Sequence, residues 1–179
     1  MINQIYILSC YTGLVKAGLW AALKILTLVA LTMPAQMLPI SGAELINLIP
    51  QKPPFVFISS LLQLDDVCCK TSFKFDDNQV LCFDGSLSPG GLLENIAQTA
   101  ACKVGYEDFV KGKKHTVGFI GEIRDFVFSR LPKSGEELTT EVVVERKVFN
   151  VHIISGKTIA NGEQIASCVM KIFMEPEAE

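Results

Sequence analysis

Glu94 and Gln98 are the polar pair whose types and spacing can do chemistry in this sequence. They lie four residues apart in "SLSPGGLLENIAQTAACKVGY" (Ser86 to Tyr106), among Leu, Ile and Ala. On a helix, residues at i and i+4 share a face. A carboxylate there can accept or deliver a proton or attack a carbonyl, and a neighbouring amide can hold it in place. Other reactive groups are sparse. His115 and His152 are the two histidines, far apart in sequence and in different predicted elements. Six cysteines (Cys10, Cys68, Cys69, Cys82, Cys102 and Cys168) show no C-x-x-C spacing. Neither a metal site nor a redox pair is suggested, and no cofactor is implied.

A helical projection sharpens the question about Glu94. With Leu92 at zero and 100° per residue, Ile96, Ala100, Leu93, Val104 and Ala97 span roughly 40° to 140°. Glu94 and Gln98 then fall near roughly 200° and 240°, at the stripe's border, beside Ala101 and Gly105. Two readings stand. The border faces water and the carboxylate is solvated, or its small flanks let a strand or a ligand approach closely.

The chain has 179 residues, 49% of them hydrophobic, enough for one well-packed domain. Its net charge of −3 lacks the positive field that nucleic-acid binding needs. Scattered thiols without a disulfide framework fit a reducing, cytoplasmic setting. The segment "GLVKAGLWAALKILTLVALTMPAQ" (Gly13 to Gln36) is more apolar than the rest of the chain, but Lys16 and Lys24 interrupt it. Its uninterrupted run, Ile25 to Pro34, is short for a membrane span. Residues 1–36 are thus an N-terminal extension with three readings: a start-site artefact upstream of Met37, a membrane-associating segment, or a signal. Residues 37–175 form the domain, and 176–179 an acidic tail. Membrane contact is expected only through residues 1–36.

The positioning elements are read from punctuation. Ser41 with Glu44 opens a short helix stopped by Pro50 and Pro53-Pro54. "FVFISSLLQL" (Phe55 to Leu64) and "VCCKTSFKF" read as strands separated by Asp65-Asp66. Adjacent Cys68 and Cys69 then face opposite sides of the second. Ser88 as N-cap and Pro89 at the first position start a long helix that runs to about Val110. Four strands come after it, broken at Pro132 to Gly135, at Asn150, and at Asn161-Gly162, a hairpin turn. Strands segregated around one helix argue α+β, an antiparallel sheet packed on a largely buried helix.

Four segments in series then carry a resemblance: "LIPQKPPFVFISSLL", "GLLENIAQTAA", "GFIGEIRDFVFSRLPKSGEEL" and "GKTIANGEQIASCVMKIFM". From about Met37 to Met174 the chain resembles the hotdog-fold 3-hydroxyacyl-acyl-carrier-protein dehydratases of fatty-acid and aryl-polyene or pigment pathways. The resemblance implies a long central helix wrapped by a curved antiparallel sheet, a site in a dimer interface, and Glu94 and Gln98 as the acidic residue and its Gln. It assigns Gly90 or Gly91 to polarise the thioester carbonyl through backbone amides at the helix N-terminus. Such amides stabilise developing negative charge, and glycine lets the thioester approach.

One departure matters. The family removes the α-proton with a His in "G-H-F-P", fourteen positions before the acidic residue; that position is Val80, and "DDNQVLCFDGSLSPGG" holds no His. The family's "H-R-Y-P-F" reads "QKPPF" here, with Gln51 in the His position. Elimination of water needs both a base and an acid, and a second subunit is a conceivable source of the base.

Three functions therefore compete. One is a dehydratase-like subunit binding acyl-carrier-protein or coenzyme A thioesters, degenerate or active beside a partner, as a homodimer or a heterodimer with an active subunit. Another is a hotdog thioesterase running on Glu94 with Gly90 and Gly91. The third is a non-catalytic ligand-binding or structural module. Phe55, Phe57 and Phe119 are candidate tunnel residues, although Phe on a strand is commonly core. Lys111, Lys113 and Lys114 in "VKGKKH" are candidates for a carrier's acidic face or a phosphopantetheine phosphate, or are a solvated loop.

Overall fold

The computed structural model describes residues 38–175, so the expectations for residues 1–36 and for the acidic tail lie outside the described residues. Within them β1 (Ile40–Ser41) leads directly into α1 (Gly42–Asn47). Next come β2 (Ser60–Leu64), β3 (Cys68–Lys74) and a small hairpin of β4 (Cys82–Phe83) and β5 (Ser86–Leu87). The long helix α2 (Pro89–Val110) is next, then β6 (Gly118–Phe128), β7 (Glu137–Val148), β8 (Val151–Ala160) and β9 (Glu163–Met174).

The seven-stranded sheet has the order β1-β2-β3-β7-β8-β9-β6, every pairing antiparallel. This is the α+β hotdog architecture expected, one long helix against an antiparallel sheet. The β8–β9 turn falls at Asn161 (φ 53°) and Gly162 (φ 81°), residues that reach the left-handed region at little cost.

Alternation of side chains puts one face of each strand against α2. Val142, Ile154 and Met170 pack there with Ile96 and Ala100 of the helix. Gly156 lets the helix come close: a Cβ at that position would lie 2.3 Å from Ile96 Cγ2. Cys69 is buried while Cys68 is only half-buried, as opposite faces require.

The expected strand over Phe55 to Leu64 forms only from Ser60. The reason lies in what Phe55–Ser59 pairs with. The Phe57 N–H donates to Gln98 Oε1 (2.8 Å), and the Phe57 carbonyl accepts from Asn95 Nδ2 (2.6 Å). The Phe55 carbonyl accepts from Gln98 Nε2 (2.8 Å). Helix side chains take the place of a neighbouring strand, so this segment is a strap across α2. Ser41 sits at the N-cap of α1 without a side-chain capping bond.

Candidate active site

Ser88 Oγ accepts from the Gly91 N–H (3.2 Å), Pro89 needs no donor partner, and α2 starts as its sequence predicts. The helix is buried on nearly every side, because strands cover one flank and the strap another. Its sheet-facing centre is polar. Thr99 Oγ1 meets Thr71 Oγ1 at 2.7 Å, and Asn95 Oδ1 accepts from Thr140 Oγ1, which in turn contacts Thr158 Oγ1 at 3.1 Å. Asn95, Thr99, Thr71, Thr140 and Thr158 are each fully buried. Paired in this way, they avoid the cost of a buried unsatisfied group. These residues went unrecognised as sequence; their available signal was Asn and Thr four apart inside a helix, where both types are disfavoured.

Glu94 and Gln98 do touch: Gln98 Nε2 donates to Glu94 Oε1 at 2.8 Å. Gln98 is fully buried and turned toward the strap, whereas Glu94 is half-buried and lines a cavity of about 140 Å³. That cavity runs between the helix residues Ala97, Ala101 and Val104 and the sheet residues Val142, Ile154 and Ile172. The border of the helical stripe therefore faces protein and a cavity, with small residues as wall. Gly105 shows how tight the fit is, since a Cβ there would lie 1.7 Å from the Leu48 carbonyl oxygen. That approach seats the chain leaving α1 against α2 and brings Pro50 and Gln51 to the cavity.

The far part of the cavity is polar. His115, His152, Lys147, Lys103 and Glu107 line it. Lys103 is 2% exposed and is satisfied by the Asp65 carbonyl (2.6 Å) and Glu107 (2.8 Å). His152 sits across from Lys147 in the β7–β8 pairing. Burial pushes its pKa below the ordinary imidazole value, and Lys147 adds to the effect.

Both histidines thus share a cavity with Glu94, but not a reaction centre. His152 interacts electrostatically with Glu107 and Lys103, and Thr116, next to His115, donates its N–H to Asp108 Oδ2 (2.7 Å), so both histidines sit by the C-terminal half of α2. Glu107 is about 20 Å beyond Glu94 along the helix axis. A general base must come within about 3 Å of its proton. The thiols offer no substitute: burial pushes Cys168 up to about 11, and a hydrogen bond to Cys102, together with burial, holds Cys69 well above its ordinary value.

The remaining candidates are dispersed. Gly90 is exposed and Gly91 buried, with the Gly91 amide already given to Ser88 Oγ; neither lines the cavity. Phe57 is core, its ring 5.6 Å from Phe73. Phe55 and Phe119 are 53% and 56% exposed, outside the cavity lining. Lys111 caps the end of α2, 4.0 Å from Glu107, and Lys113 and Lys114 lie just beyond it in an exposed loop. Among the described residues no group of three His, Cys, Asp or Glu side chains is arranged to hold a metal, and no helix is long and apolar enough to cross a membrane.

The geometry has close counterparts among known proteins. The model of the ApeP-like family, described as ApeP dehydratase, matches residues 43–179. Among solved structures, the dehydratase heterocomplex ApeI:P from Xenorhabdus doucetiae superposes with a TM-score of 0.69 at 14% identity, covering 79% of this chain and 94% of that one. The coenzyme A-bound hypothetical thioesterase of Streptococcus pneumoniae TIGR4 gives 0.53 at 13% identity, over 66% and 87%. The PaaI protein of the E. coli phenylacetic acid degradation operon gives 0.50 at 14%, over 63% and 80%. No curated protein matches by sequence. The chain belongs to the ApeP-like dehydratase family.

Proposed function

We propose that this ApeP-like chain is a dehydratase subunit that binds 3-hydroxyacyl thioesters of an acyl-carrier protein but does not complete the elimination alone. The observation that carries the reading is Glu94 at the cavity with both histidines of the chain placed by the C-terminal half of α2. In this scheme Glu94 delivers a proton to the leaving 3-hydroxyl. A histidine on a partner subunit of the same fold removes the α-proton, the C–O bond breaks, and water departs as the double bond forms. Gly90, at the open start of α2, is the amide assigned to the thioester oxygen.

The partner surface in this reading is β6. It is an edge of the sheet, eleven residues long, with Phe119, Ile123, Val127 and Phe128 all at least 40% exposed. A long apolar edge is a template for strand pairing with another chain. Lys111, which shares Glu107 with Lys147, and Lys113 and Lys114 in the loop that follows supply positive ground for a carrier's phosphate or acidic face. A thioesterase is the second reading, because Glu94 as base for water needs no histidine.

The test is intact-mass analysis of a 3-hydroxyacyl-carrier protein incubated with the chain alone and with an active hotdog dehydratase partner. The expected result is no change alone and loss of one water in the mixture, abolished by Glu94→Gln. Loss of water with the chain alone overturns the dependence on a partner, and loss of the acyl group makes the chain a thioesterase.

A further inference from the structure

Between its ends α2 leaves one face open. From Gly91 to Asp108 every residue is buried except Leu93, Glu94, Ala97, Ala101, Val104 and Glu107. At 100° per residue these six fall within roughly 140° of one another. All but Leu93 line the cavity that Glu94 borders. The chain leaving α1 adds Leu48 and Pro50 to the lining, and β6 and β9 add Ile120 and Ile172.

The lining changes character along the helix axis. Ala97, Ala101 and Val104 lie about 4.5, 10.5 and 15 Å beyond Glu94 at 1.5 Å per residue. Across from them the sheet presents Val142, Val144 and Ile154, so this section is apolar on both sides. It ends at charge. Glu107 holds Lys103 at 2.8 Å and Lys147 at 4.0 Å, and His152 feels the charges of all three.

We propose that this change of lining gauges the length of the acyl tail, with Ala101 and Lys147 as the residues that set it. The inference rests on the reading of the cavity as a 3-hydroxyacyl site. With the thioester oxygen at Gly90 and the 3-hydroxyl at Glu94, the tail beyond C3 runs toward Val104. An extended chain advances about 1.2 Å per bond, so the section from Glu94 to Val104 takes roughly twelve bonds. Volume gives a similar answer. A cavity of about 140 Å³ takes roughly nine to fourteen water-sized groups, and a methylene is close to water in size. Tails of about nine to twelve carbons beyond C3 therefore fill the apolar section. Each methylene that moves from water onto these walls strengthens binding about two- to fourfold. A longer tail carries its methyl among Lys103, Glu107 and Lys147, where it displaces water from charged groups and gains nothing.

The test is isothermal titration of the full chain with 3-hydroxyacyl amides of N-acetylethylenediamine, which replace the thioester and resist hydrolysis. Acyl lengths run from six to sixteen carbons in steps of two. Wild type is expected to gain affinity with each step up to twelve or fourteen carbons and to level off by sixteen. Ala101→Leu fills the section from about 10.5 Å onward, so its affinities are expected to level off at eight or ten carbons. Lys147→Met, which makes the far end apolar, is expected to keep gaining at sixteen. Should Ala101→Leu melt too low to titrate, Ala101→Val and Lys147→Met carry the same comparison. A wild type still gaining at sixteen carbons overturns the gauge while the acyl site stands. So does a limit that stays in place in both variants, or an Ala101→Leu that weakens all lengths alike. Binding of no analogue at any length overturns the acyl site and this inference together.

Discussion

Replacing Gln98 by Leu isolates what the amide does, because the volume is kept and three hydrogen bonds are lost. Gln98 Oε1 accepts from the Phe57 N–H, and Nε2 donates to the Phe55 carbonyl and to Glu94, each at 2.8 Å. Phe57 is fully buried, so its amide is left without an acceptor, a cost of about 1–3 kcal/mol. The Phe55 carbonyl and the Glu94 carboxylate are partly exposed and recover water, so each loss is nearer about 0.5–1 kcal/mol. The expected destabilisation is about 2–5 kcal/mol, or about 6–18 °C in melting temperature for a domain of this size. Thermal melting by circular dichroism reads the sum, and hydrogen exchange at the Phe57 amide reads the local part. A variant melting within about 2 °C of wild type, with the Phe57 amide still protected, would refute the claim that Gln98 holds the strap.

Gly105→Ala should lose about 2–3 kcal/mol despite a helix-propensity gain near 1 kcal/mol, because the new Cβ meets backbone at 1.7 Å. Gly90→Ala, whose Cβ finds nothing nearer than Ser88 Oγ at 3.7 Å, should be neutral or slightly stabilising; equal melting temperatures for the two variants contradict the packing argument. His152 has a folded-state pKa below its ordinary value of 6.5, chiefly through burial, with Lys147 and Lys103 lowering it further and Glu107 opposing them. The unfolded chain therefore binds the extra proton first, so this stability is present above pH 6.5 and is lost as pH falls through the folded-state value. Melting curves from pH 8 to 5 should show an acid-side loss that is smaller in His152→Gln. Val127→Lys, at a residue 61% exposed on β6, should weaken assembly with a second hotdog chain in sedimentation experiments without lowering the melting temperature of the isolated chain.

The sequence was most legible where local chemistry decides. Ser88-Pro89 fixes the start of α2, and Asn161-Gly162 fixes the β8–β9 turn. The four strands read after α2 all form, and along β8 buried residues alternate with half-buried ones from Ile154 to Ala160. It was least legible where a side chain answers to a distant backbone. Nothing near Phe55 announces that its strand-forming sequence pairs with Gln98 and Asn95, which lie about forty residues on. For the same reason a helical projection places Glu94 and Gln98 together on one border. The fold keeps them hydrogen-bonded but gives them different surroundings, Gln98 the strap and Glu94 the cavity. A projection also expects one apolar stripe, whereas α2 is enclosed on several sides and buries Asn95, Thr99 and Lys103 with dedicated partners. Periodicity records how much surface is buried, but it is blind to which partner satisfies a buried polar atom.

Glu94 belongs on so apolar a helix because its neighbours settle its geometry before any ligand arrives. Gln98 Nε2 is shared between the Phe55 carbonyl and Glu94 Oε1, so the position of the strap and the orientation of the carboxylate are set by one amide. An aimed carboxylate supplies one of the two proton-transfer groups an elimination requires. The histidines of this chain line the same cavity beside Lys103, Glu107 and Asp108, helix residues about 14–21 Å beyond Glu94 along the axis. Assembly and chemistry are then coupled: if the second group arrives on another chain, whatever weakens pairing along β6 must lower turnover even with Glu94, Gln98 and the cavity untouched. A β6 variant such as Val127→Lys that stays folded, loses its partner and keeps full dehydration activity would break that link and return the search for the base to this chain.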